Sequence, residues 1–115
     1  MRDKVESCLR NIANTSFEIQ IYDRDNYRKT LSELDLTPFI AAEVIRNLTV
    51  EDYYRGPTKP DHCDKGDIWE FGTKIDNIEV YIKLHIIEDF GVPYVTCISF
   101  HKAQWPINYP LRGDE

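Results

Sequence analysis

Apolar and polar positions alternate most cleanly along two stretches in the second half of the chain, Val80 to Glu88 and Tyr94 to His101. In the first, Val80, Ile82, Leu84 and Ile86 fall on one side and Tyr81, Lys83 and His85 on the other, the period of two that marks a half-buried strand. With Asp89 to Pro93 as the turn and Gly91 near its apex, setting apolar beside apolar places Thr96, Ile98 and Phe100 along the buried row. The same register puts Tyr81 opposite His101 and Lys83 opposite Ser99, with about 5 Å between directly opposed Cβ atoms. A phenol, an ammonium, a hydroxyl and an imidazole then share the open face of one hairpin. Such a set can move protons and hold an anion, but it is not a nucleophilic triad.

Elsewhere the period changes. Val5, Cys8, Leu9 and Ile12 recur at helical spacing and predict a one-sided helix over Asp3 to Ala13. Phe17, Ile19 and Ile21 alternate with Glu18, Gln20 and Tyr22, which reads as a half-buried strand. Asp25 is placed to cap a helix whose Tyr27, Leu31 and Leu34 share a face, and Thr37-Pro38 starts another carrying Phe39, Ile40, Val44, Ile45 and Leu48. Thr49 with Asp52 has the form of a capping box for one further turn. Gly56 to Gly66 lacks apolar periodicity and reads as a surface loop. Strand character resumes over Asp67 to Ile75, and Asp76-Asn77 turns the chain into the hairpin. Helices gathered before a mainly antiparallel sheet predict an α+β architecture, one domain over residues 1–102. Residues 103–115 form an extended tail anchored by Trp105, Ile107 and Tyr109 among Pro106 and Pro110.

At 115 residues the chain suits a single core. Its 14 Lys and Arg against 20 Asp and Glu give a net charge of −6, which opposes nonspecific attraction to a phosphate backbone. Any RNA binding must therefore come from a local basic patch made by folding, and DNA binding by the chain alone is not expected. Cys8, Cys63 and Cys97 are odd in number and lack a CxxC pair, which argues against a disulfide scaffold or structural zinc and for a reducing, cytoplasmic setting. No apolar run is long enough for a signal core or a membrane span. His62-Cys63, and His85 facing Cys97 across the hairpin, are too few ligands for a metal site.

Three strings carry a resemblance: Leu48-Thr49-Val50-Glu51-Asp52-Tyr53-Tyr54-Arg55, Ile68-Trp69-Glu70 and Val80-Tyr81-Ile82-Lys83, closing on Ile98-Ser99-Phe100-His101. In sequence, spacing and element order the chain resembles the MqsR family of toxins, RNA-cleaving members of type II toxin–antitoxin pairs with a RelE-like sheet. The resemblance runs from about Leu36 to His101 and does not extend to the tail. It implies an mRNA interferase, an endoribonuclease that cleaves single-stranded mRNA without metal or other cofactor and is held down by a cognate antitoxin protein. Carried over position by position, the implied catalytic residues are Arg55, Glu70, Tyr81 and His101. The chain departs from the family at Glu70, where glutamine is expected, at His101, where lysine is expected, and more mildly at Arg55, also for lysine.

Cleaving RNA without metal requires activating the ribose 2′-hydroxyl, neutralising charge on the phosphoryl oxygens and protonating the departing 5′ oxygen. His101 is the candidate general acid or base, since imidazole exchanges protons near neutrality. Glu70 is the candidate complementary base. Arg55 and Lys83, with Lys102 nearby, are the candidate phosphate-binding cations, and Tyr81 orients the phosphate or stacks on a base. Each has a plainer alternative: a solvated rim histidine, ordinary exposed strand residues at Tyr81 and Lys83, a solvated carboxylate at Glu70, a cation on the rings of Tyr53 and Tyr54 at Arg55. The rival function is a non-catalytic protein-interaction module that keeps the toxin-like fold while Glu70 and the aromatic tail recast its open face for a protein partner, a face that Ala103 to Leu111 can also cover.

Overall fold

A computed structural model describes residues 1–61 and 65–113. Helix α1 (Arg2–Asn14) is followed by a short strand β1 (Gln20–Ile21), helices α2 (Asp25–Leu34) and α3 (Pro38–Arg46), and strands β2 (Tyr53–Thr58), β3 (Asp67–Ile75), β4 (Ile78–Asp89) and β5 (Val92–Lys102). The strands form one sheet in the order β1-β5-β4-β3-β2, antiparallel throughout except for β1 beside β5. The fold is thus α+β, with the three helices on one face of a mostly antiparallel sheet.

The helical stripe of α1 buries Val5, Cys8 and Ile12, α2 contributes Tyr27, Leu31 and Leu34, and α3 contributes Ala41 and Ile45. They close over Phe71, Val80, Ile82, Leu84 and Phe100, each wholly buried. Burial of each large side chain is worth about 1.5–3 kcal/mol, which pins β4 with its even-numbered residues toward the helices. The odd-numbered Tyr81, Lys83 and His85 must then face away from them. Among the described residues no helix is long and apolar enough to cross a membrane.

Two helix starts follow their capping chemistry. Thr37 accepts the Ile40 N–H at 3.1 Å with Pro38 opening α3, and the Asp52 carboxylate accepts the Thr49 N–H at 2.9 Å to close the short turn Val50–Asp52. Asp25 behaves differently from the expectation. Arg24 is the cap residue, and Asp25 stands inside the first turn bound to Arg28. On α3, Phe39 and Ile40 are exposed, because Ala41 and Ile45 hold the positions that face the core.

The strand expectations need three corrections. The segment around Phe17 to Tyr22 pairs only at Gln20 and Ile21, parallel to β5, and Phe17 instead stacks on Tyr94 with ring centroids 4.7 Å apart. Tyr53–Thr58 is an edge strand, so the loop begins after Thr58 rather than at Gly56, an edge being where Pro57 costs no ladder bond. The β4–β5 turn has two residues, Phe90 and Gly91, both at positive φ, not five.

That shorter turn moves the nearby register by one residue, and a bulge between Lys83 and Leu84 on one strand and Cys97 and Ser99 on the other moves it back. Val95 and Cys97, not Thr96 and Ile98, therefore join Phe100 in the core. Beyond the bulge the expected pairs stand: Tyr81 opposite His101, and Lys83 opposite Ser99. Cys97 lies beside Leu84 and His85 beside Thr96, so the two never face each other. His62-Cys63 lies outside the described residues.

Candidate functional site

On the sheet face opposite the helices, β2, β3 and β4 bring Arg55, Glu70 and Lys83 into one row through the pairs Arg55 with Glu70 and Glu70 with Lys83. The next row along the face is Gly72, Tyr81 and His101. Four strands thus supply the side chains that the sequence singles out, and their contacts form a chain. The Arg55 Nε donates to Glu70 Oε2 at 2.8 Å, the Tyr81 hydroxyl donates to Glu70 Oε1 at 2.5 Å, and the Tyr81 and His101 rings lie 5.4 Å apart.

Electrostatics follow from burial. Glu70 is 5% exposed, yet both its oxygens are satisfied, one by a guanidinium and one by a phenol. Glu70 in turn raises the Arg55 pKa through that hydrogen bond, so the guanidinium stays charged. Burial, and then the bond to the Glu70 carboxylate and its charge, push the Tyr81 phenol well above its usual range. Tyr81 is therefore a fixed donor that aims Glu70 rather than a group that ionises. Arg55 keeps most of its guanidinium in solvent, above the Tyr54 ring at 4.9 Å.

The tail covers one end of this face. Glu79 is its anchor, accepting the Ile107 N–H at 3.2 Å and the Tyr109 hydroxyl at 2.8 Å on its side chain, and the Ala103 N–H at 2.8 Å on its main-chain carbonyl. Arg112 stacks on Tyr109 and reaches Asp52 at 3.4 Å. Trp105 packs against Tyr81 with centroids 5.4 Å apart, leaving Tyr81 6% and His101 8% exposed. The His101 Nδ1 donates to the Lys102 carbonyl at 2.8 Å. Tyr81 has no free face on which a base can stack, and His101 stands behind it. Lys102 is not part of the cluster: it pairs with Val80 at the helix side and bonds Glu33 at 2.8 Å.

The other end of the face is open. A groove of about 490 Å³ runs across it, with Glu70 at the inner wall and Lys83, His85 and Ser99 along the floor. Tyr22 and Arg24, beyond β1, and Lys59, beyond β2, form its rims. Arg24 lies over the Tyr22 ring at 5.3 Å, and Lys59 bonds Asp67 at 3.2 Å. Three cations, Arg24, Lys59 and Lys83, share the groove with two carboxylates, Glu70 and Asp61, so it is less acidic than the chain as a whole. Sequence reasoning placed Lys83 and His85 on this face but missed Arg24 and Lys59, which lie far apart in the chain and are brought beside β4 only by the sheet order.

A cavity of similar size, about 500 Å³, lies on the helical side between α1 and the sheet, lined by Lys4, Cys8, Asn11 and Trp69 among others. Burial, then the charge of Asp67, push the Cys8 thiol up to about 12, which makes it inert. Among the described residues no three His, Cys, Asp or Glu side chains converge as metal ligands do. Set beside family models, curated proteins and solved structures, the chain matches none.

Proposed function

We propose that this chain is an endoribonuclease toxin of the MqsR kind, cleaving single-stranded mRNA by acid–base chemistry and restrained by an antitoxin protein. The observation that carries this reading is the convergence of Arg55, Glu70, Tyr81 and His101, chosen on sequence alone, into one chain of contacts beside a groove that holds three cations. The parts proposed for them fit this placement. Glu70 is the base for the ribose 2′-hydroxyl, held in aim by Tyr81 and Arg55. The solvent-facing N–H groups of Arg55, together with Lys83, meet the phosphoryl oxygens. His101 supports the Tyr81 ring from behind.

The test is a defined single-stranded RNA incubated with purified protein in excess EDTA. Cleavage to 2′,3′-cyclic phosphate and 5′-hydroxyl ends, lowered at least about 100-fold by Glu70→Gln, is the expected result. Equal cleavage by Glu70→Gln removes the assignment. Growth arrest on expression, relieved by the product of an adjacent small gene, tests the antitoxin.

Burial of Tyr81 and His101 under the tail favours a second reading, a non-catalytic module that presents the toxin-like sheet to a protein partner. It predicts no RNA cleavage and no growth arrest.

A further inference from the structure

If Glu70 takes the proton from the attacking hydroxyl, another group must give one to the departing oxygen. His101 is badly placed for this, since it lies outside the groove and beneath Trp105 and Tyr81. His85 is not. It lines the same groove as Glu70, two residues beyond Lys83 on β4, and the pairs Glu70 with Lys83 and Ile68 with His85 put the three side chains on one face. Glu70 and His85 are therefore diagonal neighbours across the strand pair, with Lys83 directly opposite Glu70 and two residues from His85. All three line one groove, where a phosphodiester held by Lys83 would meet both a carboxylate and an imidazole.

The imidazole is also held in one orientation. Its Nε2 lies 2.9 Å from the Lys65 main-chain oxygen, and because a carbonyl only accepts, Nε2 carries the hydrogen and Nδ1 is left to exchange a proton. Gly66, at φ +80°, makes that clamp possible: a Cβ there would stand 2.9 Å from Nε2 and 2.5 Å from the Ile86 oxygen. A histidine merely solvated at a sheet surface needs no such fitted loop.

We propose that His85 is the general acid of the reaction, acting across Lys83 from Glu70; this rests on the ribonuclease reading above. In the step, the Glu70 carboxylate accepts the 2′-hydroxyl proton and the 2′ oxygen bonds to phosphorus. The bond from phosphorus to the 5′ oxygen breaks, and the Nδ1–H of cationic His85 passes its proton to that oxygen. The products are a 2′,3′-cyclic phosphate, a 5′-hydroxyl, protonated Glu70 and neutral His85, and one proton exchange with water resets both groups. The charged groups that share the groove with His85 are Lys83 on β4, Glu70 on β3, Arg24 near β1, and Lys59 and Asp61 after β2.

The experiment uses the full chain and two RNAs of one sequence, one natural and one with sulfur in place of the bridging 5′ oxygen at the cleavage site, a leaving group that departs without a proton. His85→Ala is expected to slow natural RNA about 100- to 10,000-fold, abolish the alkaline limb of the pH–rate profile and be rescued by added imidazole. It is expected to cleave the sulfur-bridged RNA within a few-fold of the unchanged protein, which also shows that the variant is folded. His85→Ala slowing both RNAs alike, or neither, overturns the proposal. Failure of the unchanged protein to cut either RNA overturns the ribonuclease reading and this one with it, a result distinct from the others.

Discussion

Gly72→Ala tests how tightly the tail is built onto the sheet. A Cβ on Gly72 would stand 2.6 Å from the Ile107 Cδ1 and 2.6 Å from the Tyr109 hydroxyl oxygen, well inside ordinary contact. Lifting the tail away to relieve this would forfeit the burial of Ile107, about 1.5–3 kcal/mol, and the Tyr109 bond to the Glu79 carboxylate, about 1.5–3 kcal/mol. Local overpacking costs less, about 1–3 kcal/mol, so the chain is expected to strain rather than detach. Against this stands the gain of replacing glycine within a strand, about 0.5–1 kcal/mol. The net loss is then about 0–2.5 kcal/mol, or a fall in Tm of up to roughly 10 °C for a chain of this size. Urea and thermal unfolding followed by circular dichroism measure it. The same substitution in an Ile107→Ala, Tyr109→Ala background, where the obstructing atoms are gone, is expected to be neutral or mildly stabilising. An equal loss in both backgrounds would refute the reasoning.

Other expectations follow from the same contacts. Glu70→Ala leaves the buried Tyr81 hydroxyl without an acceptor, and Arg55→Ala leaves the buried Glu70 carboxylate without its cation, so each is expected to cost about 1–3 kcal/mol in urea unfolding; a loss well below about 1 kcal/mol in either would contradict this. Burial lifts the Cys97 thiol from 9.0 to about 12. That raised value means its contribution to stability is whole below pH 9 and is lost as pH rises from 9 toward 12, where the unfolded chain releases a proton the folded one keeps. Melting temperature should fall through that window, less steeply in Cys97→Ala; parallel curves would count against it. With Arg24, Lys59 and Lys83 each meeting one phosphate, the logarithm of RNA affinity should fall against the logarithm of salt concentration with a slope of about −2, and a slope near zero would remove the groove as the binding track.

Much of the architecture is legible from short-range pattern, because alternation and caps are local physics. Thr37-Pro38, the Thr49–Asp52 box and the Asp76-Asn77 turn act within four residues and stand where the sequence puts them. The pairing of Tyr81 with His101 came out correctly even though the turn did not, because the bulge near Ile98 restores the register that a two-residue turn shifts. No sequence rule places such a bulge, and so the buried row of β5 was read as Thr96 and Ile98 instead of Val95 and Cys97. Phe39 looked like core because hydrophobicity alone says nothing about which stripe of a short helix meets the sheet.

The site was legible only in its members. Arg55, Glu70, Tyr81 and His101 do meet, but the burial of Tyr81 depends on how the tail packs Trp105 against its ring, a long-range packing event. Alternation alone put His85 on the open face beside Lys83, but nothing local showed how its ring is held. Its setting comes from Lys65 and Gly66, some twenty residues earlier, and from strands that the chain visits in a different order.

The most direct measurement of the central claim is cleavage of a single-stranded RNA of defined sequence, in excess EDTA, by the unchanged protein and by Glu70→Gln and Lys83→Ala. Cyclic phosphate ends from the unchanged protein, with both variants slowed by two orders of magnitude or more, are what the account predicts. Intact RNA after prolonged incubation with a folded protein, or full activity in either variant, would contradict it.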